Sequence, residues 1–189
     1  MKNHIVITIG REYGSGGRYV GKLVAEKLGI NCYDNEFIEK LSKQTGLSKK
    51  YIAEHEQKET GTQSFGNIGE QDDLFIKESN LINNLYKKES CVIIGRCSDY
   101  ILKDKKDVFK VFIYAVEKEK ENWAIKYYGL NKKTALKEIN KINKKRSKHY
   151  KYYTERNWTH PSNYDLMLMI DKIGVEKASD ITVDLIKNA

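Results

Sequence analysis

The chain has 189 residues, 40% hydrophobic and 32% charged, a balance suited to one soluble, folded domain rather than a disordered chain. No apolar run nears the roughly 20 residues of a membrane span, and "MKNHIVITIG" enters a strand-like run without a signal-peptide core, so a cytoplasmic protein is expected. The net charge is +8, and residues 131–156 hold ten Lys/Arg against two Glu, so the excess lies in one segment that implies an anionic partner or a solvated lysine-rich face.

In chain order, "HIVITI" (4–9) is β-branched and continuously apolar, as in a strand buried on both faces. "GREYGSGGR" (10–18) follows, then Val20, Leu23, Val24 and Leu28 at helical spacing, with Gly29 as the stop. "INCYD" (30–34) is a second strand ending in an acid. "NEFIEKLSKQTG" (35–46) is helical through Phe37, Ile38 and Leu41, and Ser48 caps a helix over "KKYIAEHEQ". Residues 58–70 are rich in Gly, Thr and Ser and read as a mobile loop, with a helix over 73–88.

"CVIIG" (91–95) is a third strand running into Gly95-Arg96, "SDYILK" a short helix, and "VFKVFIYA" (108–115) a fourth strand. Two charged helices, "EKEKENWAIKYYGL" and "KKTALKEINKINKKRSKHYKYY", precede a loop with Pro161. "DLMLMI" (165–170) is a fifth strand, and 175–187 a closing helix around Ala178, Ile181 and Leu185. Short apolar strands alternating with helices give an α/β fold, a five-stranded parallel sheet flanked by helices. In such sheets ligands bind beyond the carboxyl ends of the strands. Three strands end there in functional groups: the glycine loop, Asp34 and Gly95-Arg96.

Cys32, Cys91 and Cys97 are odd in number and lack CxxC spacing, so buried thiols in a reducing compartment are expected, and no metal site. None of the four histidines joins a nucleophile or metal-ligand set.

The glycine loop joins a strand to a helix, where backbone amides and the helix dipole favour an anion. Gly14, Ser15, Gly16, Gly17 and Arg18 are the candidate phosphate-binding residues. Against G-x-x-x-x-G-K-[ST], the lysine position is Gly17 and the Mg²⁺-ligating hydroxyl position is Arg18. On the loop alone, a phosphate cradle and a purely structural turn are equal readings.

"IGREYGSGGRYVGKLVAEKLGINCYD" resembles the opening of the cytidylate-kinase-like family, a branch of the P-loop nucleoside monophosphate kinases. The resemblance continues in order through "CVIIGRCSDYIL", "VFIYA", "HYKYYTERNW" and "PSNYDL", nearly the whole chain. In that family "GSGG" stands where cytidylate kinases proper carry a lysine-bearing loop. The resemblance implies a P-loop kinase fold as one domain over 1–189, with an acceptor-binding region at 35–70 and a basic helical lid at 118–160. It implies transfer of the ATP γ-phosphate, with Mg²⁺, to a small phosphate-bearing acceptor, cytidylate by family name.

Phosphoryl transfer needs positioning and positive charge. Arg18, beside the loop, is a candidate to take over the missing lysine's electrostatic work; the alternative is a surface helix residue. Arg11 is a further flanking cation. Asp34 either holds a nucleoside hydroxyl or metal-bound water, or caps the next helix. Arg96 is placed to grip the acceptor monophosphate bidentately, or forms a structural ion pair. Asp99 either orients Arg96 or favours the helix start, and Asp165 matches the family's "YDL" acid.

In the lid, Lys120, Trp123, Lys145 and Arg146 stand at positions where family members carry arginines, and Asn143 where an aspartate is usual. Lysine keeps charge but lacks the planar fork. Lys120 and Arg146 are the lid's candidate catalytic cations. Tyr150, Tyr152, Tyr153 and Trp158 either stack a base or pack the lid hinge. Two other functions compete: a nucleotide-binding protein with little or no catalysis, and a nucleic-acid binder using 131–156. No nucleic-acid motif accompanies that segment, and a membrane partner is not expected.

Overall fold

A computed structural model describes residues 4–57 and 68–188. Its five strands are β1 (Val6–Arg11), β2 (Asn31–Tyr33), β3 (Cys91–Ile94), β4 (Val108–Tyr114) and β5 (Leu166–Met169). They form one all-parallel sheet in the order β2-β3-β1-β4-β5. The helices are α1 (Gly17–Leu28), α2 (Asn35–Thr45), α3 (Lys49–Gln57), α4 (Ile68–Lys88), α5 (Ser98–Ile101), α6 (Glu117–Tyr128), α7 (Ala135–Thr154) and α8 (Gly174–Asn188), with a 3₁₀ turn at Pro161–Asn163.

Alternation along the central strands divides the core in two. Ile7 and Ile9 of β1 join Val92, Ile94, Val111 and Ile113 on one face, against Val20 and Val24 of α1 and Val183 and Ile186 of α8. Val6 and Ile93 face the other way, onto Phe37 and Leu41 of α2, Ile52 of α3 and Leu81, Ile82 and Leu85 of α4. A third cluster of Phe112, Tyr150, Trp158 and Tyr164 ties α7 and the Pro161 turn to β4. With helices on both faces, the site falls to the carboxyl edge of the sheet.

The expected caps form. Gly29 and Gly46 end α1 and α2 in the left-handed conformation, and Ser48 Oγ accepts from the Tyr51 amide at 3.1 Å. Four expectations need correction. β1 runs two residues later than 4–9, because pairing with β4 extends to Gly10 and Arg11. Residues 68–70 are helical, since α4 begins six residues ahead of Leu74, where its buried apolar stripe starts; 58–67 lie outside the described residues. The basic helix starts at Ala135, after a turn at 131–134. On α8, Leu185 is exposed and Ile186 is buried, because Ala178, Thr182, Val183 and Ile186 make the inward stripe.

Candidate functional site

Residues 12–16 turn the chain from β1 into α1. Gly14 (φ 84°) and Gly16 (φ 69°) occupy the left-handed region that glycine adopts without strain. Both are also closely packed. A Cβ on Gly14 would lie 2.6 Å from the Lys120 carbonyl oxygen, and one on Gly16 2.8 Å from Val175 and 3.1 Å from the Trp123 ring. α6 and the start of α8 therefore lie directly against the loop.

Ser15 is fully buried, and its hydroxyl, 2.9 Å from the Glu12 carbonyl and 3.0 Å from that of Ile113, staples the loop to β4. Its side chain is occupied inside the protein, and its amide sits 3.4 Å from the Glu12 carbonyl. The amides of Gly17 and Arg18 open α1, where a helix provides no partner of its own and its dipole is positive.

Guanidinium groups gather around this turn. Arg18 pairs through Nε with the buried Asp34 carboxylate at the end of β2. Asp34 makes no side-chain cap to α2, so of its two readings the helix cap does not form. Arg146, from α7, donates to the Arg11 carbonyl at 3.0 Å and lies 5.5 Å above the Tyr13 ring. Burial first, and the nearby Arg11 guanidinium second, push its pKa down to about 9. Each makes a bound cation costly until an anion arrives.

After β3, Gly95, Arg96 and Cys97 all have positive φ (76°, 58° and 51°). For Arg96 and Cys97 this costs roughly 1–2 kcal/mol each. The turn delivers the Arg96 side chain onto the Phe37 ring (4.5 Å), with its Nε 3.7 Å from the buried Glu78 carboxylate and Nη1 donating to the Ile94 carbonyl at 3.2 Å. A guanidinium fixed on several sides by α2, α4 and its own strand is pre-oriented for a planar oxyanion.

Lys120 is buried on α6, with Nζ 3.0 Å from Glu12 Oε2 at the loop entrance. On α7, Asn143 Oδ1 accepts from the Tyr13 amide at 2.7 Å, and Tyr13 packs on Tyr128. Trp123 stands between Tyr127 (4.3 Å) and Tyr19 (5.4 Å). α7 thus grips the loop with one face. Lys137, Lys141, Lys144, Lys148 and Lys151 follow each other at helical spacing on the opposite, exposed face.

Of the aromatic residues, Tyr150 and Trp158 are core, Tyr153 stacks on Phe75 at 3.8 Å, and Tyr152 is exposed. Packing accounts for all but Tyr152.

Two of the sequence-predicted residues stand apart from this cluster. Asp99 is buried and accepts from the Tyr150 hydroxyl at 2.7 Å and from backbone amides at the start of α5, which fits the helix-start reading rather than the orienting of Arg96. Burial raises its pKa. Asp165 lies level with Lys110, whose amide it accepts at 2.8 Å, roughly 10 Å along the strands below the loop. That is the wrong end of the sheet for a ligand at the carboxyl edge.

Sequence reasoning missed Glu12, Glu78 and Phe37 as partners of the site's cations. Glu78 carried a readable signal: it falls on the buried stripe Leu74, Glu78, Ile82, where a carboxylate requires a partner. Glu12 offers no such pattern.

The model of the cytidylate kinase-like family matches residues 6–172. No sequence among the curated proteins matches the chain. Among solved structures, an uncharacterized protein from Eubacterium ventriosum is 30% identical, with TM-score 0.75, covering 98% of this chain and 100% of that one. Shikimate kinase from Acinetobacter baumannii, in complex with shikimate, has TM-score 0.57 at 16% identity (99% and 95% covered). Mycobacterium tuberculosis APS kinase, in complex with AMPPNP and APS, has TM-score 0.55 at 16% identity (97% and 98% covered). At such identities the two kinases share the fold.

Proposed function

The chain belongs to the cytidylate kinase-like family, and on that premise we propose that it is a nucleotide kinase that moves the γ-phosphate of ATP to a small phosphate-bearing acceptor, a nucleoside monophosphate such as cytidylate. The observation that carries the reading is convergence. The loop amides, the Arg18–Asp34 pair and the Arg146 guanidinium gather at the carboxyl ends of β1 and β2, and Arg96 stands at the neighbouring end of β3. Donor phosphates rest on the amides of Gly14–Arg18; the acceptor phosphate is held by Arg96. Residues 35–70 form the acceptor region and 118–160 the lid, within one cytoplasmic domain.

An acceptor phosphate oxygen is already anionic near neutral pH, so its attack needs no protein base. The new P–O bond forms as the bond to the β-phosphate breaks and ADP leaves with the electron pair. The chain's own contribution is alignment and positive charge from Arg18, Arg146 and Lys120.

ATP fits the residues present, while the loop offers no free hydroxyl to Mg²⁺: Arg18 stands at the ligating-hydroxyl position and the Ser15 hydroxyl is occupied by carbonyls. Among the described residues no three or more of His, Cys, Asp and Glu gather as a metal cluster. Any Mg²⁺ arrives on the nucleotide, and no step is assigned to it. The same facts favour a second reading, a nucleotide-binding protein with weak catalysis. No described helix is long and apolar enough to cross a membrane.

The test is a panel of nucleoside monophosphates with ATP, scored for ADP formation, beside calorimetry with ATP with and without Mg²⁺. Turnover of at least one acceptor is expected. Binding indifferent to Mg²⁺ without turnover selects the second reading, and absence of binding removes both.

A further inference from the structure

The loop lacks a lysine at Gly17, yet the space beside Gly17 is taken. A Cβ there would come within 2.5 Å of Arg11 Cβ and 3.3 Å of its Cγ. The Arg11 side chain therefore runs along the flank of the loop where a residue-17 side chain would begin. It ends at the turn after β3: Arg11 Nη1 lies 2.1 Å from where a Cβ on Gly95 would sit, and Cζ 3.0 Å. Two glycines in different parts of the chain make room for one arginine, the first beside its stem and the second under its guanidinium.

We propose that Arg11 is the cation that replaces the missing loop lysine, seated in the room that Gly17 and Gly95 leave. The proposal rests on reading the loop as a phosphate site. The guanidinium then lies between the donor phosphates on the Gly14–Arg18 amides and the acceptor phosphate on Arg96, beside the path of the transferred group. Arg146 closes the other side, its guanidinium held on the Arg11 carbonyl. Burial is the first reason the Arg146 pKa is lowered, and repulsion from the Arg11 charge is the second. Negative charge spread over the moving phosphoryl group relieves that repulsion, and the relief is greatest in the transition state.

The lysine-bearing pattern cannot simply be restored. Any side chain at 17 meets Arg11 and, at 3.0 Å, Ile113 Cβ. On this account the loss of the lysine and the gain of Arg11 are one exchange.

The test uses the full chain with ATP, inorganic tripolyphosphate and the nucleoside monophosphate it turns over. Arg11→Ala is expected to lower kcat about 100-fold, the effect typical of one preorganised charge donor, and to weaken tripolyphosphate binding, while the acceptor KM moves less than about threefold. Arg11→Lys restores part of kcat, because charge returns without the fork. Thermal melts of each variant separate misfolding from loss of function, and the Arg11→Lys recovery is something a merely structural role would not give.

Wild-type turnover with Arg11→Ala equally active overturns this inference and leaves the kinase reading intact. If the wild type binds ATP without turnover, tripolyphosphate affinity decides: an unchanged value for Arg11→Ala overturns the inference. A wild type that binds neither ATP nor tripolyphosphate overturns the reading of the loop, and the inference with it.

Discussion

The cations of the site are each held by a neighbour that sets their direction. Arg96 is sandwiched between Phe37 and Glu78, Arg18 is tied to Asp34, and Lys120 to Glu12. Fixing a guanidinium before the ligand arrives removes rotamer entropy from the binding step.

Asp99 is the opposite case, a buried acid serving the scaffold. Its pKa lies above the ordinary 3.8, so just above pH 3.8 the folded chain holds a proton that the unfolded chain has lost. The stability this contributes is full below 3.8 and disappears as pH rises through the folded-state value. Asp99→Asn keeps an acceptor for Tyr150 but cannot titrate. Its stability relative to wild type is therefore expected to improve between pH 4 and pH 7. A difference that does not change with pH would contradict this.

At the scale of elements, α7 is tied down at two places. Its inner face holds the loop through Asn143 and Arg146, and its C-terminal half is anchored by Tyr150 on Asp99 and Tyr153 on Phe75. Removing Asn143 leaves the Tyr13 amide without its acceptor. Asn143→Ala is expected to cost about 1 kcal/mol, a fall of roughly 2–4 °C in melting temperature at this chain length. Amide exchange at Tyr13 should quicken at the same time. A normal melting temperature with unaltered exchange at Tyr13 would show that the bond contributes nothing. The outer face, with its five lysines, faces water and takes no part in this grip.

For the whole molecule, the sheet is the common wall of both helical layers. The strands that carry the site also carry the core, so we expect one cooperative unfolding transition with equal calorimetric and van't Hoff enthalpies. Ile93, fully buried beneath α2 and α4, is a direct probe. Ile93→Ala is expected to cost about 2–5 kcal/mol and to lower the whole transition without splitting it. A second transition at lower temperature would mean that α2–α4 or α6–α7 melts separately, and that the chain is more than one cooperative unit.

The strand-and-helix order, the caps at Gly29, Gly46 and Ser48, and the places of the loop, Asp34 and Arg96 at the strand ends were legible in the residues, because periodicity and turn chemistry are local. What tertiary structure decided is which groups meet. No spacing tells that Glu12 faces Lys120 or that Arg11 reaches Gly95, because those contacts join residues 108 and 84 positions apart. Nor does spacing separate Asp99 and Asp165 from the site, since each follows a plausible motif yet is engaged by the scaffold. Sequence alone determined a parallel α/β sheet with a glycine-rich loop at its carboxyl edge. The close packing of that loop against α6, α7 and the end of β3 decided which cations stand around it, because side-chain direction depends on neighbours brought together only by folding.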